Sequence, residues 1–214
     1  VYFNELRVSH PKGSEAKAFT ADNIIFKEDL AEQGVTMDQT GNHFKFIHLN
    51  GAHAPFVYDK DVNYIGVEQG SYRQSMEASI TLASEYIRAL KESGAYDNTA
   101  LIVMADHGYN GIGEKEEDFL RQASLLLIKG RGEHHDTMQI SEAPISYEDL
   151  QTAYVRLLDG AQSNGVFDWK EDDVRERRFL EYTPGVERHM VEYIQKGHAQ
   201  DMSTMVPTGR EYDR

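Results

Sequence analysis

The spacing of apolar positions changes along the chain, and each change marks an element. Between Ser71 and Ser93, residues Met76, Ile80, Ala83, Ile87 and Leu90 follow one another at intervals of four, three, four and three. That is the helical period, so it predicts a helix over 71–93 with one apolar stripe, stopped by Gly94. Tyr96-Asp97-Asn98 reads as a turn. Thr99–Ala105 (TALIVMA) then runs continuously apolar after its threonine, which predicts a strand buried on both faces. A helix feeding a buried strand is an α/β arrangement.

The rest of the chain extends this pattern. Ser124–Ile128 (SLLLI) predicts a second buried strand, and Lys129–Pro144 a polar loop. Ser146 and Asp149 stand three apart, like a capping box. The helix they open presents Leu150, Ala153, Tyr154, Leu157 and Leu158 on its apolar face, and Gly160 closes it. Phe179–Tyr182 and Met190–Ile194 are apolar-rich segments on either side of Pro184-Gly185 and predict an antiparallel pair. Earlier, Asn23–Phe26 fits either a short strand or the start of a helix through FKEDLAEQ that stops at Gly34. Phe44–Leu49 alternates at its start and reads as a strand ended by Asn50-Gly51, and Ala52–Gly70 reads as a loop. The expected class is α/β, with a sheet flanked by helices and an antiparallel C-terminal tail. An irregular segment over 1–43 precedes the organised region over 44–214.

Charge and composition narrow the partners. The chain has 214 residues, a formal net charge of -14 and no cysteine. Such a surface repels nucleic acid and anionic lipid, and it repels an anionic substrate unless a local cation reverses the field. Cysteine-ligated metals and disulfides are excluded. No apolar run approaches the ~20 residues of a membrane helix, so no membrane segment is expected.

Candidate chemistry gathers where predicted strands end. Asp106, His107 and Gly108 follow directly on Thr99–Ala105. Carboxylate and imidazole are both good ligands for Zn²⁺ or Mn²⁺, and a turn at Gly108 lets adjacent side chains reach one ion. The competing reading has Asp106 capping a turn and His107 as a bystander. A second cluster, His48 to Phe56 (HLNGAHAPF), follows the Phe44–Leu49 strand. There His48 reads as a core or edge histidine, and His53 lies on the loop beyond. Glu133-His134-His135-Asp136 and the acidic run Gly113–Asp118 read as solvated loops. GYNGIG, after the strand, has the wrong glycine spacing for a nucleotide fingerprint.

IHLNGAHAPF, then a helix, then GAYDNTALIVMADHG, resembles the C-terminal half of a sulfatase-type domain of the alkaline phosphatase superfamily. The resemblance is nearest to the lipoteichoic acid synthase and phosphoethanolamine transferase branch. SLLLIKGRG, APISYEDLQTAYVRLL and the tail MVEYIQKGHAQDMSTMVPTGREY add weaker matches. The resemblance implies an alkaline phosphatase-like sheet and places Asp106 and His107 as ligands of a divalent cation (Zn, Mn, Mg or Ca). It makes His53 a contact to the phosphate or sulfate group that assists proton transfer. It implies cleavage or transfer of a sulfuric or phosphoric ester through a covalent intermediate, with an anionic cell-envelope or glycan-type substrate. It also implies an extracytoplasmic setting, with the full-length protein membrane-anchored. The family's nucleophile and remaining carboxylate lie N-terminal to everything matched, and Thr20 and Thr36 do not follow a buried strand. The expectation is therefore a chain without its nucleophile and with little turnover alone. A half-domain leaves a sheet edge uncovered, so a homodimer is expected there. The alternative is a non-catalytic, sulfatase-like binding or assembly module.

Overall fold

The computed structural model describes residues 3–5, 15–37, 41–67, 69–109, 120–182, 189–198 and 201–213. The chain divides into two compact units, Val1–Asp97 and Asn98–Arg214. Together they form a mixed α/β chain with three helices and three small sheets among the described residues.

In the first unit, β1 (Phe3–Glu5) lies parallel to β2 (Phe44–Phe46), with α1 (Glu15–Gln33) between them in the chain and α2 (Tyr72–Glu92) after β2. Asn23–Phe26 is helical, inside α1, which ends at Gly34 with φ of 61°. The predicted strand Phe44–Leu49 is shorter than its pattern. Only Phe44–Phe46 pairs, all three residues are exposed, and His48 lies beyond the strand with an exposed ring. His48 is thus not a core histidine.

The bounds of α2 match their local signals. Ser71 caps it by accepting the Gln74 N–H, and Gly94 follows with φ of 75°. Its buried face coincides with the predicted stripe only at its C-terminal end, at Leu90. Ser75, Ala78, Leu82, Ala89 and Leu90 are buried, whereas Met76 and Ile80 are 43% and 44% exposed. Ala78 and Leu82 join Phe26, Val57, Tyr58 and Val62 in the core. A small serine and alanine on the buried side of the helix let the 57–62 loop approach its backbone, and this contact outweighs the larger stripe.

In the second unit, β3 (Leu101–Met104) pairs antiparallel with β4 (Leu126–Lys129), Ile102 opposite Ile128. Both strands are half-buried rather than enclosed, and each has a single strand neighbour among the described residues. This corrects the expectation of fully buried strands. Against the pair packs α3 (Leu150–Leu158) with the segment after it: Ala153, Leu157 and Val166 meet Ala100, Ile102, Ile128 and Phe167. The predicted capping box is present, with the Ser146 N–H donating to the Asp149 carboxylate at 2.8 Å. Of the five expected apolar residues of α3, Leu150, Ala153 and Leu157 are buried, while Leu158 is mostly exposed.

The tail forms a three-stranded antiparallel sheet, β5 (Glu176–Tyr182), β6 (His189–Lys196) and β7 (Met205–Asp213), in that order. Phe179 opposes Tyr193, as the predicted pairing of the two apolar segments requires. The third strand, β7, contains Pro207, tolerated because β7 is an edge. No helix among the described residues is long and apolar enough to cross a membrane.

Candidate metal site at the end of β3

The strand pairing runs one residue past β3: the Ala105 N–H donates to the Leu125 carbonyl at 3.0 Å. The chain then turns. Asp106 Oδ1 accepts the N–H of His107 at 2.9 Å, and the Gly108 N–H donates to the Arg121 carbonyl at 2.8 Å. A strand's alternation would send adjacent side chains to opposite faces. This turn instead leaves His107 Nε2 3.7 Å from Asp106 Oδ2. The carboxylate is 85% exposed and the ring 39% exposed, so both open to solvent.

The ring's tautomer follows from its neighbour. His107 Nδ1 lies 2.6 Å from the Gly108 carbonyl oxygen, which can only accept. Nδ1 therefore carries a proton, and in the neutral ring Nε2 on the carboxylate side is the nitrogen with the lone pair. A carbonyl fixing one ring nitrogen so that the other can ligate is the usual support of a metal-bound histidine. The donor set, one oxygen and one imidazole nitrogen, suits zinc or manganese. The turn-capping contact expected of Asp106 is present through Oδ1, and Oδ2 lies on the histidine's side. No group of three or more His, Cys, Asp or Glu side chains is placed to hold a metal among the described residues.

His53 belongs to the first unit. Its N–H donates to the Asn50 carbonyl at 3.0 Å across a turn in which Gly51 has φ of 56°, and its ring is exposed. Its Nδ1 faces the carbonyl of the next residue, Ala54, the same local device that orients His107. Of the acidic run Gly113–Asp118, all residues lie outside the described residues.

No known protein family, curated protein or solved structure matches this chain. The site therefore rests on its own geometry.

Two groups in the second unit have environments that the sequence did not predict: Tyr147, beside the site, and Glu133, in the loop after β4 at the other end of the strand pair. Tyr147, the first residue after the Ser146 cap, places its hydroxyl against the Ala105 carbonyl and Ser124 Oγ. Burial raises its phenol above the ordinary value, and the charge of Asp106 adds to the rise. The capping box signalled where this helix begins but not what its first ring faces. The second group is Glu133, expected in a solvated loop. It is instead buried, 7% exposed. Its carboxylate accepts from the Gly130 N–H at 2.6 Å, the Ser163 N–H at 2.9 Å, the Ser163 hydroxyl and His135 Nε2 at 2.9 Å. Burial alone would raise its pKa. The hydrogen bonds from Ser163, His135 and Gly130 outweigh that and hold it at about 2. Glu133 thus ties the 130–135 loop to the Ser163–Gly165 turn as a structural anion.

Proposed function

We propose that this chain supplies part of a metal-dependent centre that cleaves or transfers sulfuric or phosphoric esters, with an alkaline phosphatase-like arrangement around it. The observation that carries the reading is the Asp106–His107 pair at a strand end: an exposed carboxylate 3.7 Å from an imidazole whose Nδ1 is turned to the Gly108 carbonyl. Asp106 Oδ2 and His107 Nε2 are the two ligands this chain offers. A divalent cation held there would neutralise an anionic ester and lower a nucleophile's pKa. It would also overcome the repulsion that a net charge of -14 imposes on such a substrate. The family resemblance alone assigns the oxyanion contact to His53, which lies in the first unit. No segment of this sequence matches the family's nucleophile, so the proposal gives the chain alone weak metal affinity and little turnover. Cell-envelope or glycan esters outside the cytoplasm, and a dimer, complete the reading.

The test compares full-length protein with this chain for bound metal and for arylsulfatase and phosphodiesterase activity. The expected result is metal and activity in the full-length protein, both lost in Asp106→Asn and His107→Ala. Full-length protein that binds no metal and turns over neither ester overturns the enzyme reading. The alternative reading is a non-catalytic binding or assembly module. Metal-free full-length protein with an intact fold is its signature.

A further inference from the structure

The peptide from which the Asp106–His107 turn departs is held from both sides. Its N-terminal neighbour, Ala105, donates its N–H to Leu125, continuing the strand ladder. Its carbonyl accepts from the Tyr147 hydroxyl, across 42 residues of sequence. A phenol has one proton; with that proton on Ala105, the Ser124 hydroxyl donates to the Tyr147 oxygen. The peptide group between Ala105 and Asp106 is planar, so fixing its carbonyl sets the plane from which Asp106 leaves. The first bonds of the turn, Asp106 Oδ1 to the His107 N–H and His107 Nδ1 to the Gly108 carbonyl, are then built on that plane.

Tyr147 is itself well anchored. It opens the 3₁₀ turn Tyr147–Asp149, started by the Ser146 capping box. Arg175 Nη1 holds Asp149 at 2.5 Å, and its guanidinium lies over the Trp169 ring at 4.6 Å from the ring centre. The neighbouring Tyr154 hydroxyl reaches Met104 Sδ at 3.6 Å, a second link from this helix to the end of β3. The helical layer thus grips the strand end at two successive residues, Met104 and Ala105, immediately before the candidate ligands.

We propose that Tyr147 is a positioning residue for the Asp106–His107 pair, its hydroxyl fixing the Ala105–Asp106 peptide plane that carries both donors. The inference rests on the cation reading above for what the positioning serves. Tyr147 does not touch the cation's proposed ligand atoms; it acts through the backbone.

Backbone hydrogen exchange in the metal-free chain, followed residue by residue, tests this. Tyr147→Phe keeps the ring and removes the hydroxyl. The expected result is exchange about tenfold faster at His107 and Gly108, the loss of roughly one net hydrogen bond, with the β3–β4 ladder unchanged. Ser124→Ala, which removes only the second hydroxyl, shifts the same amides in the same direction by less. Mn²⁺ titration followed by electron paramagnetic resonance then gives a weaker dissociation constant for Tyr147→Phe than for the parent chain. Unchanged exchange at His107 and Gly108 overturns the proposal. Equal acceleration through the β3–β4 ladder also overturns it, because the hydroxyl would then serve general stability. If the parent chain binds no Mn²⁺ while the local exchange effect is present, the cation reading fails and the positioning role of Tyr147 stands.

Discussion

Replacing Glu133 by glutamine removes a buried charge while keeping its shape, and the structure sets the size of the effect. The carboxyl, 5% exposed, accepts four hydrogen bonds, from two backbone N–H groups, a hydroxyl and an imidazole. They hold its pKa at about 2 against an ordinary 4.5. At about 1.4 kcal/mol per pH unit, that difference corresponds to roughly 3 kcal/mol of stability at neutral pH. The sign follows from linkage. A depressed carboxyl stabilises the fold above its unfolded value near 4.5, and this contribution is lost as pH falls through about 2. Glu133→Gln should therefore lower the urea midpoint of the second unit strongly at pH 7, and the gap to the parent should narrow as pH falls from 4.5 toward 2. Trp169, the chain's single tryptophan, reports the transition by fluorescence. A variant within about 0.5 kcal/mol of the parent at pH 7, the usual range for surface changes, refutes the reasoning. So does a gap that stays constant with acid.

Three further outcomes are expected. A Cβ at Gly130 would lie 2.7 Å from the Ala161 carbonyl oxygen and 3.0 Å from Gln162 Cα, both backbone atoms. Gly130→Ala should destabilise by about 2 kcal/mol or more in thermal unfolding, within the range of overpacking; a neutral variant would mean that this approach is slack. Arg175 is mostly buried between Asp149 and the Trp169 ring. Arg175→Ala should cost about 3 kcal/mol by leaving the Asp149 carboxylate without its counter-charge, and should shift Trp169 emission; an unaltered spectrum contradicts the stacking. His189 is held above its ordinary pKa by its hydrogen bond to Asp213, with Glu211 adding to the effect. Its stabilisation is full below about 6.5 and is lost as pH rises through the folded value. Hydrogen exchange at the start of β6 should accordingly quicken with pH beyond the intrinsic dependence, and should lose that excess in His189→Gln.

How far the sequence predicted this structure depends on whether the deciding interaction is local. The limits of α2 follow from Ser71 and Gly94, each acting within a turn of its own position, and the Ser146–Asp149 box is equally local. The facing of α2 is not local: Val57, Tyr58 and Val62 of a loop select Ala78 and Leu82 over the Met76–Ile80 stripe. Strand β7 hides behind Pro207 and Gly209, which interrupt its alternation, and only pairing with β6 makes it a strand. Glu133 looks solvated because its neighbours are polar, whereas the donors that bury it sit 30 residues away at Ser163. At the candidate site, the acid–imidazole adjacency is readable directly. Tyr147 is not, because its partner Ala105 is distant in sequence and contributes only a carbonyl.

The central claim is that Asp106 and His107 share one cation. Mn²⁺ added stepwise to isotope-labelled chain, with nuclear magnetic resonance read at each residue, tests it most directly. The account predicts paramagnetic broadening that appears first at Asp106, His107 and Gly108, centres on the His107 ring, and disappears in the Asp106→Asn, His107→Ala double variant. Broadening that begins at other carboxylates and passes over these three residues would contradict it.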